Sequence, residues 1–332
     1  MSRYLLTGAA GFIGARVTEL LLEQGHEVVG LDNLSPAYDV RMKEYRLGRL
    51  QGRPGFEFHK VDICDGRALR ALPPGAPIEA VIHLAARAGV RASLEDPWSY
   101  VETNAGGTLN LLELCRHTQI PKFLLASTSS IYGAEAPLPT REEADSSRPL
   151  QPYAASKKAA EVLSYSYHAM YGLDVTVFRY FTVYGPAGRP DMSMFRFTQW
   201  IAEDRPLVLN GDGNQSRGFT YVDDIARGTI LGLKPLGYEV MNLGGHEAVR
   251  MNDVIRLLED LLGMKAHVVQ QPAHPADMPA SWANVEKAGR LLGWEPHVSF
   301  AEGARELVEW YRREREWARH VATGKGMPLT IG

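Results

Sequence analysis

A tyrosine and a lysine stand four residues apart in the stretch Tyr153-Ala154-Ala155-Ser156-Lys157. The preceding Gln151-Pro152 is a plausible helix start, and on a helix this spacing places the phenol and the ammonium on one face. A neighbouring positive charge stabilises a phenolate and lowers the tyrosine pKa from its usual value of about 10. The pair therefore predicts a tyrosine that acts in general acid–base catalysis.

Hydroxyl side chains end the apolar run KFLLA, in the order Ser127, Thr128, Ser129 and Ser130. Such side chains at a strand end readily hydrogen-bond local backbone, and we favour this interpretation for Ser127. Thr128 precedes Tyr153 by 25 residues, and a hydroxyl-ended strand at that distance strengthens the catalytic interpretation of the tyrosine and lysine.

A glycine-rich turn, TGAAGFIG, follows the first apolar run with the spacing GxxGxxG. Glycines at such a turn let the backbone approach a diphosphate at the start of a helix. Asp32 ends the second apolar run, where a carboxylate can accept a hydrogen bond from the ribose 2′-hydroxyl of NAD. The same carboxylate would repel the 2′-phosphate of NADP, so NAD is the favoured cofactor. The alternative is that Asp32 is only a turn residue at the strand end. Asp62 ends the third strand candidate, where the adenine edge would lie. The small residues of HLAA end the fourth strand candidate, where the backbone must pass close to the cofactor. The predicted NAD contacts are Gly8, Gly11, Phe12, Ile13, Gly14, Asp32, Asn33, Asp62, Ile63, Leu84, Ala85, Ala86, Tyr153 and Lys157.

These residues need a scaffold that brings strand ends together. Short apolar runs alternate with helical patterns at about 12–24, 98–118 and 151–172, which predicts an α/β fold with a doubly wound parallel sheet. The strand candidates are RYLLT, EVVGLD, FEFHKVD, AVIHLAA, KFLLAS and VTVFRY. We predict an NAD-binding domain over 1–181, to which about 219–262 returns, and a smaller α+β lobe over most of 182–332.

Composition excludes several classes of protein. The 332 residues carry 36 basic and 39 acidic side chains, a net charge of −3, with no basic run suited to nucleic acid. No apolar stretch approaches the roughly 20 residues that span a bilayer, and the N-terminus leaves no room for a signal peptide. Cys64 and Cys115 lack the spacing of a disulfide framework or zinc site, and Asp212-Gly213-Asn214 indicates a turn rather than a calcium loop. We therefore expect a cytoplasmic protein without a metal.

Taken together, TGAAGFIG, Asp32, HLAA, Thr128, YxxxK and RYFTVYGP resemble the extended short-chain dehydrogenase/reductase family over nearly the whole chain. Within it the chain is most similar to the nucleotide-sugar 4-epimerases, and most closely to the UDP-glucuronate 4-epimerases. The longest matches are LDNLSPAYDVRMKEYRL, HLAARAGVRASLEDP, RYFTVYGPAGRPDMSMFRF, RGFTYVDDIA and PADMPASWANVEKAGRLLGWEP. The resemblance implies a Rossmann-type sheet, a substrate lobe and a UDP-sugar substrate.

The resemblance also implies roles in a redox-neutral cycle that interconverts UDP-glucuronate and UDP-galacturonate. Tyr153 is the base for the O4 proton, Lys157 tunes it and holds the cofactor ribose, and Thr128 bonds the reacting hydroxyl. NAD is regenerated and should stay tightly bound. The helices near 98–118 and 151–172 correspond to those that pair into a four-helix bundle, so a homodimer is expected. Leu109, Leu112 and Leu163 offer either that interface or an intramolecular core.

Ser129 and Ser130 stand where related dehydratases resemble Asp-Glu and related uronate decarboxylases have Glu at the second position. A serine cannot act as a carboxylate acid or base, but it can donate to the substrate carboxylate. The 4-keto intermediate of a uronic acid is a β-keto acid, so the carboxylate must be held away from the decarboxylating orientation. Thr182 is a further donor by resemblance.

The nucleotide end of the substrate is assigned by resemblance alone. Arg217 matches a position that binds the diphosphate, and Arg189 lies on a Gly/Pro loop within reach of the same groups; the alternative for both is a solvated loop arginine. Asp277 matches a position near the uridine ribose, and Arg91 is an extra contact. His274 stands where glucose-type epimerases have an arginine. The alternatives are a UDP-glucuronate decarboxylase, a UDP-glucose 4-epimerase and a non-catalytic NAD-binding sensor. Ser130 disfavours the first, and the retained Thr128, Tyr153 and Lys157 disfavour the last.

Overall fold

The structure is a computed structural model that describes residues 1–72, 75–245, 247–273 and 278–324. The strands in these residues are β1 Arg3–Thr7, β2 Glu27–Leu31, β3 Phe56–His59, β4 Ala80–His83, β5 Lys122–Thr128, β6 Asp174–Tyr180, β7 Thr182–Tyr184, β8 Pro206–Asn210, β9 Ser216–Tyr221, β10 Tyr238–Leu243, β11 Ala248–Arg250, β12 His267–Gln271 and β13 Ala280–Ser281. The helices are α1 Phe12–Glu23, α2 Arg41–Gly48, α3 Gly66–Arg70, α4 Ala92–Glu95, α5 Pro97–Val101, α6 Gly107–Thr118, α7 Pro152–Tyr171, α8 Ser193–Ala202, α9 Val222–Leu231, α10 Met251–Leu262, α11 Glu286–Leu292 and α12 Phe300–Ala318.

The main sheet has seven parallel strands in the order β10-β6-β5-β4-β1-β2-β3. All six strand candidates lie in it, so the predicted fold class is confirmed. The strand order reverses between β1 and β4, so their loops diverge and leave a crevice at the carboxyl edge of the sheet.

Helices cover both faces of this sheet because side chains of a strand alternate between its faces. On one face, Leu111 of α6 and Ala160 of α7 pack with Phe123 of β5. On the other face, Val17 of α1 packs with Leu6 of β1. Strands buried on both faces explain why their sequences are continuous apolar runs.

The second lobe surrounds a separate aromatic core. It contains a four-stranded sheet of β7, β9, β11 and β13, a parallel pair of β8 and β12, and the helices α8, α10 and α12. Phe195, Trp200, Trp310 and Tyr311 are buried in this core. Met42 of α2 is buried there too, although α2 follows directly on the main sheet.

The chain passes between the lobes more than once. After β9 it returns to the main layer, where α9 packs near α1 and β10 pairs with β6 at the sheet edge. It then leaves again, because β11 pairs with β9 and α10 joins the aromatic core. Of the segment 219–262, the part that lies on the main sheet is therefore α9 and β10.

The helix predicted over 98–118 is present, but it is not α-helical throughout. A π-helical turn, Glu102–Gly106, lies between α5 and α6. Asn104 in this turn is fully buried and bonded to groups outside its own helix, which explains the local departure from α-helical spacing. Among the helices described here, none is long and apolar enough to cross a membrane.

Candidate active site

The glycine-rich turn joins β1 to α1 at the carboxyl edge of the sheet. Gly8 has a φ of 77°, and a Cβ there would lie 2.8 Å from the backbone nitrogen of Ala85. A Cβ on Gly14 would lie 2.0 Å from the Gly8 carbonyl oxygen. Gly11 is the N-cap of α1 and has no side chain to occupy the first N–H groups of the helix. The turn is compressed as a diphosphate cradle requires, so these residues fit a dinucleotide.

Asp32 lies at the end of β2 and is 6% exposed. Its carboxylate accepts from the backbone N–H of Ala10 in the glycine turn at 3.2 Å and from Leu34 N–H at 2.8 Å. Lys43 of α2 donates to it at 3.0 Å. The carboxylate is therefore fixed beside the turn, where an adenosine ribose would lie, and Lys43 is a partner that sequence analysis missed.

The remaining predicted NAD contacts line the same edge. Asn33 donates to Asp62 at 2.9 Å. Burial alone would raise the pKa of Asp62, but hydrogen bonds from the Cys64 backbone and Asn33 outweigh it and lower that pKa. Ile63 is buried against the main core. On the neighbouring strand end, Leu84, Ala85 and Ala86 follow β4, and Phe12 and Ile13 begin α1.

Tyr153 and Lys157 lie on the first turns of α7, next to the end of β5. Burial raises the pKa of Tyr153, while a hydrogen bond with Thr128 and the positive charge of Arg189 act to lower it. Burial lowers the pKa of Lys157 to about 8, and the negative charge of Glu161 opposes this. The structure therefore brings together the three residues predicted to be catalytic, with Arg189 as an additional neighbour of the phenol.

Ser127 does not bond local backbone, so that interpretation is wrong. Its hydroxyl donates to Oε1 of Glu161 on α7 at 2.6 Å. The same carboxylate accepts two bonds from Arg179 of β6, at 3.0 and 2.9 Å, and both side chains are buried. This buried cluster anchors α7 to the two strands beside it.

A second buried chain of hydrogen bonds links β1 to α7. The ring of His83 lies between the hydroxyls of Thr7, at 2.7 Å, and Thr108, at 3.0 Å. Burial and the charge of Lys157 lower the pKa of His83 well below its ordinary value, so the ring is neutral. Thr108 donates to the carbonyl of Asn104, and the Asn104 amide donates to Ser156, one residue before Lys157.

Ser129, Ser130 and Thr182 lie around this centre and are partly exposed. Ser129 and Ser130 begin a 3₁₀ turn that follows β5, and the hydroxyls of Ser130 and Thr128 are hydrogen-bonded at 3.2 Å. Thr182 starts β7 and lines one cavity together with Arg189. Donor groups of both lobes thus border the cleft.

Arg189 is held firmly in the cleft wall. It forms two bonds with Asp191, at 3.1 and 2.5 Å, and donates to the carbonyl of Ala88 at 3.3 Å. Burial alone would lower the Arg189 pKa, but the charge and hydrogen bond of Asp191 raise it, so the guanidinium stays charged. Its positive charge acts to lower the pKa of Tyr153, against the larger effect of burial, which raises that pKa.

Three other positions belong to the predicted nucleotide end. Arg217 lies on β9 and donates to the Ser216 carbonyl at 2.8 Å. Arg91 is exposed. Burial of Arg196 on α8 lowers the pKa of that guanidinium, and the positive charge of Arg91 lowers it further. Asp277 and His274 lie outside the described residues.

Sequence analysis missed residues whose partners are remote in the chain. They are Lys43, Arg46, Asn104, Glu161 and Arg196. The only signal in the sequence was that these polar residues recur at the spacing of the buried face of a helix. A solvent-exposed helix face was the simpler interpretation of the same charged residues.

Apolar side chains are exposed on the outer face of α5, α6 and α7. Trp98 is 83% exposed, Val162 and Tyr165 are each 54% exposed, and Leu109 is 39% exposed. By contrast, Leu112 is fully buried in the main core, and Leu163 packs against that core. The apolar side chains of α5, α6 and α7 thus pack into the main core on one side of these helices and form an exposed apolar face on the other.

Comparisons with known proteins agree with this geometry. Residues 4–244 match the model of the NAD dependent epimerase/dehydratase family. The chain is 53% identical to the UDP-glucuronate 4-epimerase of Thermodesulfobacterium geofontis, over 97% of this chain and 99% of that protein. The crystal structure of UDP-glucuronic acid 4-epimerase from Bacillus cereus with UDP-glucuronic acid and NAD matches with a TM-score of 0.87 at 36% identity, covering 94% and 99% of the chains. The UDP-glucose 4-epimerase of Thermotoga maritima matches with a TM-score of 0.86 at 33% identity, with the same coverage.

Proposed function

Because the chain belongs to the NAD-dependent epimerase/dehydratase family, we propose that it is a UDP-glucuronate 4-epimerase, which interconverts UDP-glucuronate and UDP-galacturonate. The observation that carries the proposal is the juxtaposition of Thr128, Tyr153 and Lys157 beside a cleft in which positions 129 and 130 are serines. The 53% identity to a UDP-glucuronate 4-epimerase over 97% of this chain supports the substrate.

NAD is the cofactor of this reaction, and it supplies a hydride acceptor and donor when bound. The residues that would hold its diphosphate are Gly8, Gly11 and Gly14, whose turn leaves no room for side chains. Asp32 would accept from the ribose 2′-hydroxyl. Asp62 with Asn33 would border the adenine, and Leu84 to Ala86 would pass beside the cofactor.

In the proposed mechanism Tyr153 takes the proton from O4 of the sugar and later returns it. Lys157 supports the phenolate, because an ammonium close to a phenol favours its ionised form. Thr128 bonds the same oxygen and holds the sugar in line for both half-reactions. The 4-keto sugar turns over about its diphosphate link between these half-reactions, so C4 presents its other face.

The substrate carboxylate distinguishes this reaction from its neighbours. Ser129, Ser130 and Thr182 would donate to the carboxylate without offering an acid or base of their own. They would thereby keep the C5–carboxylate bond out of alignment with the C4 carbonyl, which slows loss of carbon dioxide. Arg189, Arg217 and Arg91 would bind the diphosphate, and Asp277 the uridine ribose.

The working molecule is proposed to be a homodimer in the cytoplasm. The exposed apolar face of α5, α6 and α7 would pair with the same face of a second copy, because a patch carrying Trp98, Val162 and Tyr165 is costly in water. The described cysteines, Cys64 and Cys115, are both free thiols, as a reducing compartment allows.

One experiment tests the function. The purified protein is incubated with UDP-glucuronate without added NAD, and the sugars are followed by proton NMR. We expect UDP-galacturonate to appear. Parallel incubations with UDP-glucose and analysis for UDP-pentose separate the two enzymatic alternatives, and absence of any conversion would contradict the proposal.

A further inference from the structure

Arg46 of α2 is a buried arginine between the glycine turn after β1 and the loop that precedes Arg189. Its side chain is 3% exposed. It donates to the carbonyl of Ala10 at 3.3 Å and to the hydroxyl of Tyr38 at 2.8 Å. It also donates to the carbonyl of Ala187, at 2.9 and 2.7 Å, and to that of Gly188 at 3.0 Å.

These acceptors belong to two segments that are far apart in the chain. Ala10 lies in the glycine turn, where its N–H also bonds Asp32. Ala187 and Gly188 immediately precede Arg189. Ala187 has a φ of 53°, a conformation unfavourable for a residue with a Cβ, so this loop needs external support. Nε and Nη2 of Arg46 support this loop by donating to its carbonyls, while Nη1 donates to Ala10 in the glycine turn.

Among the residues that the structure describes, Arg46 has no ion-pair partner. All its hydrogen-bond acceptors are neutral, and none of the described carboxylates lies within ion-pair distance. Arg179 and Arg189, by contrast, are paired with Glu161 and Asp191. A buried cation without an anion is unfavourable. The diphosphate of a dinucleotide at the glycine turn would supply the missing negative charge.

We propose that Arg46 is a positioning residue that couples the cofactor site to the substrate site. The inference rests on the proposed function, because it takes the glycine turn as the NAD site and Arg189 as a substrate contact. The cofactor diphosphate compensates the guanidinium across the turn, and the same guanidinium fixes the loop that aims Arg189. Arg46 itself touches neither reacting atom.

The test compares Arg46→Lys, which keeps the charge but loses the fork, with Arg46→Met, which loses both. Retained dinucleotide is measured by chromatography after dialysis and acid denaturation, and UDP affinity by calorimetry on NAD-loaded protein. For Arg46→Lys we expect retained NAD but about tenfold weaker UDP binding, since a hydrogen-bonded support of Arg189 is lost. For Arg46→Met we expect dialysis to remove NAD as well. Arg49→Lys and Arg49→Met are matched controls at the C-cap of the same helix. Arg49 pairs with Glu19 at 3.0 Å, away from both binding regions, so both variants should behave as wild type.

A double variant separates positioning from a general loss of stability. If Arg46 acts through Arg189, adding Arg46→Lys to Arg189→Lys should weaken UDP binding by less than about twofold more. A full second tenfold loss would overturn the proposal, and so would UDP binding by Arg46→Lys equal to that of Arg49→Lys.

If the Arg46 variants do not fold, Tyr38→Phe replaces them. It removes the hydroxyl bonded at 2.8 Å but keeps the ring that lies 6.0 Å from the Arg189 guanidinium. We expect about threefold weaker UDP binding and no further loss in the Arg189→Lys background. Unchanged UDP affinity overturns the proposal. These binding measurements do not need turnover, so a wild-type protein that failed to epimerise UDP-glucuronate would contradict the proposed function and leave this test intact.

Discussion

Ser127 and Glu161 are joined by a hydrogen bond of 2.6 Å between the serine hydroxyl and the carboxylate. The bond connects the residue before Thr128 to the helix that carries Lys157. Arg179 holds the other side of the same carboxylate. One buried carboxylate therefore fixes the end of β5 against α7, the helix that carries the proposed catalytic residues.

Replacing Glu161 should change the pH dependence of turnover. Burial lowers the pKa of Lys157 to about 8, and the charge of Glu161 opposes that effect. In Glu161→Gln this opposition is lost, so Lys157 releases its proton at lower pH and the alkaline fall in kcat should move to lower pH. Ser127→Ala is the control, because it keeps the carboxylate and costs about 1 kcal/mol of stability without moving that limb. The kcat–pH profiles decide, and identical profiles for Glu161→Gln and wild type would exclude this role.

Tyr153→Phe should abolish most turnover while leaving substrate binding. Loss of the proton-transfer group should lower kcat by about a thousandfold or more, with the dissociation constant of UDP-glucuronate changed only a few-fold. Tyr100→Phe is a matched control, because its ring lies 6.1 Å from that of Tyr153. Near-normal turnover of Tyr153→Phe would mean that another group is the base.

Asp32→Ala should weaken NAD binding by about ten- to a hundredfold, because a charge-assisted hydrogen bond to the ribose is lost. The change also frees the ammonium of Lys43, which should reduce discrimination against a 2′-phosphate. Dinucleotide retained after dialysis, and rebinding of NAD and NADP, measure both effects. Glu57→Ala removes a carboxylate that pairs with Arg3 at the surface and should change neither. Unaltered NAD affinity in Asp32→Ala would identify Asp32 as a turn residue only.

Ser129→Ala combined with Ser130→Ala should change the products as well as the rate. Losing one or two charge-assisted donors should raise decarboxylation per epimerisation by about ten- to a hundredfold. Carbon dioxide or UDP-4-keto-pentose released per epimerisation is the observable. Ser130 is bonded to Thr128, so Ser129→Ala alone serves as the variant that leaves that contact in place. If the double variant is slower but equally faithful, the carboxylate is held elsewhere, and Thr182 is the next candidate.

Val162→Glu should dissociate the proposed homodimer. Val162 is 54% exposed on the apolar face of α7, and a carboxylate placed there would be buried without a partner in a dimer. Light scattering at micromolar concentration should give a dimer for wild type and a monomer for the variant. Val268→Glu, at a 46% exposed position on β12, should remain dimeric. A monomeric wild type would reject the interface.

The scaffold could be predicted because its signals are local. Each strand of the first half is a short apolar run, and a parallel sheet buried on both faces needs such runs. The glycine turn was predictable for the same reason, since the three positions that tolerate no Cβ, Gly8, Gly11 and Gly14, lie within seven consecutive residues. Asn104 escaped prediction because a π-helical turn has no distinct hydrophobic period.

The contacts that tune the site could not be predicted, because they close over long stretches of chain. Ser127 meets Glu161 across 34 residues, and Arg46 meets Ala187 across 141. A serine or an arginine looks the same in sequence whether it faces solvent or a buried partner. Only the folded arrangement of strands and helices distinguishes the two.

The passage of the chain between lobes bears on how such an enzyme can diversify. The second lobe is interrupted by α9 and β10, which complete the main sheet at the side of β6. Neither lobe is a continuous piece of gene, so recombination cannot exchange one as a cassette without removing an edge strand. We therefore expect new specificities on this scaffold to arise by substitution in the loops at the carboxyl edge, where Ser129 and Ser130 stand.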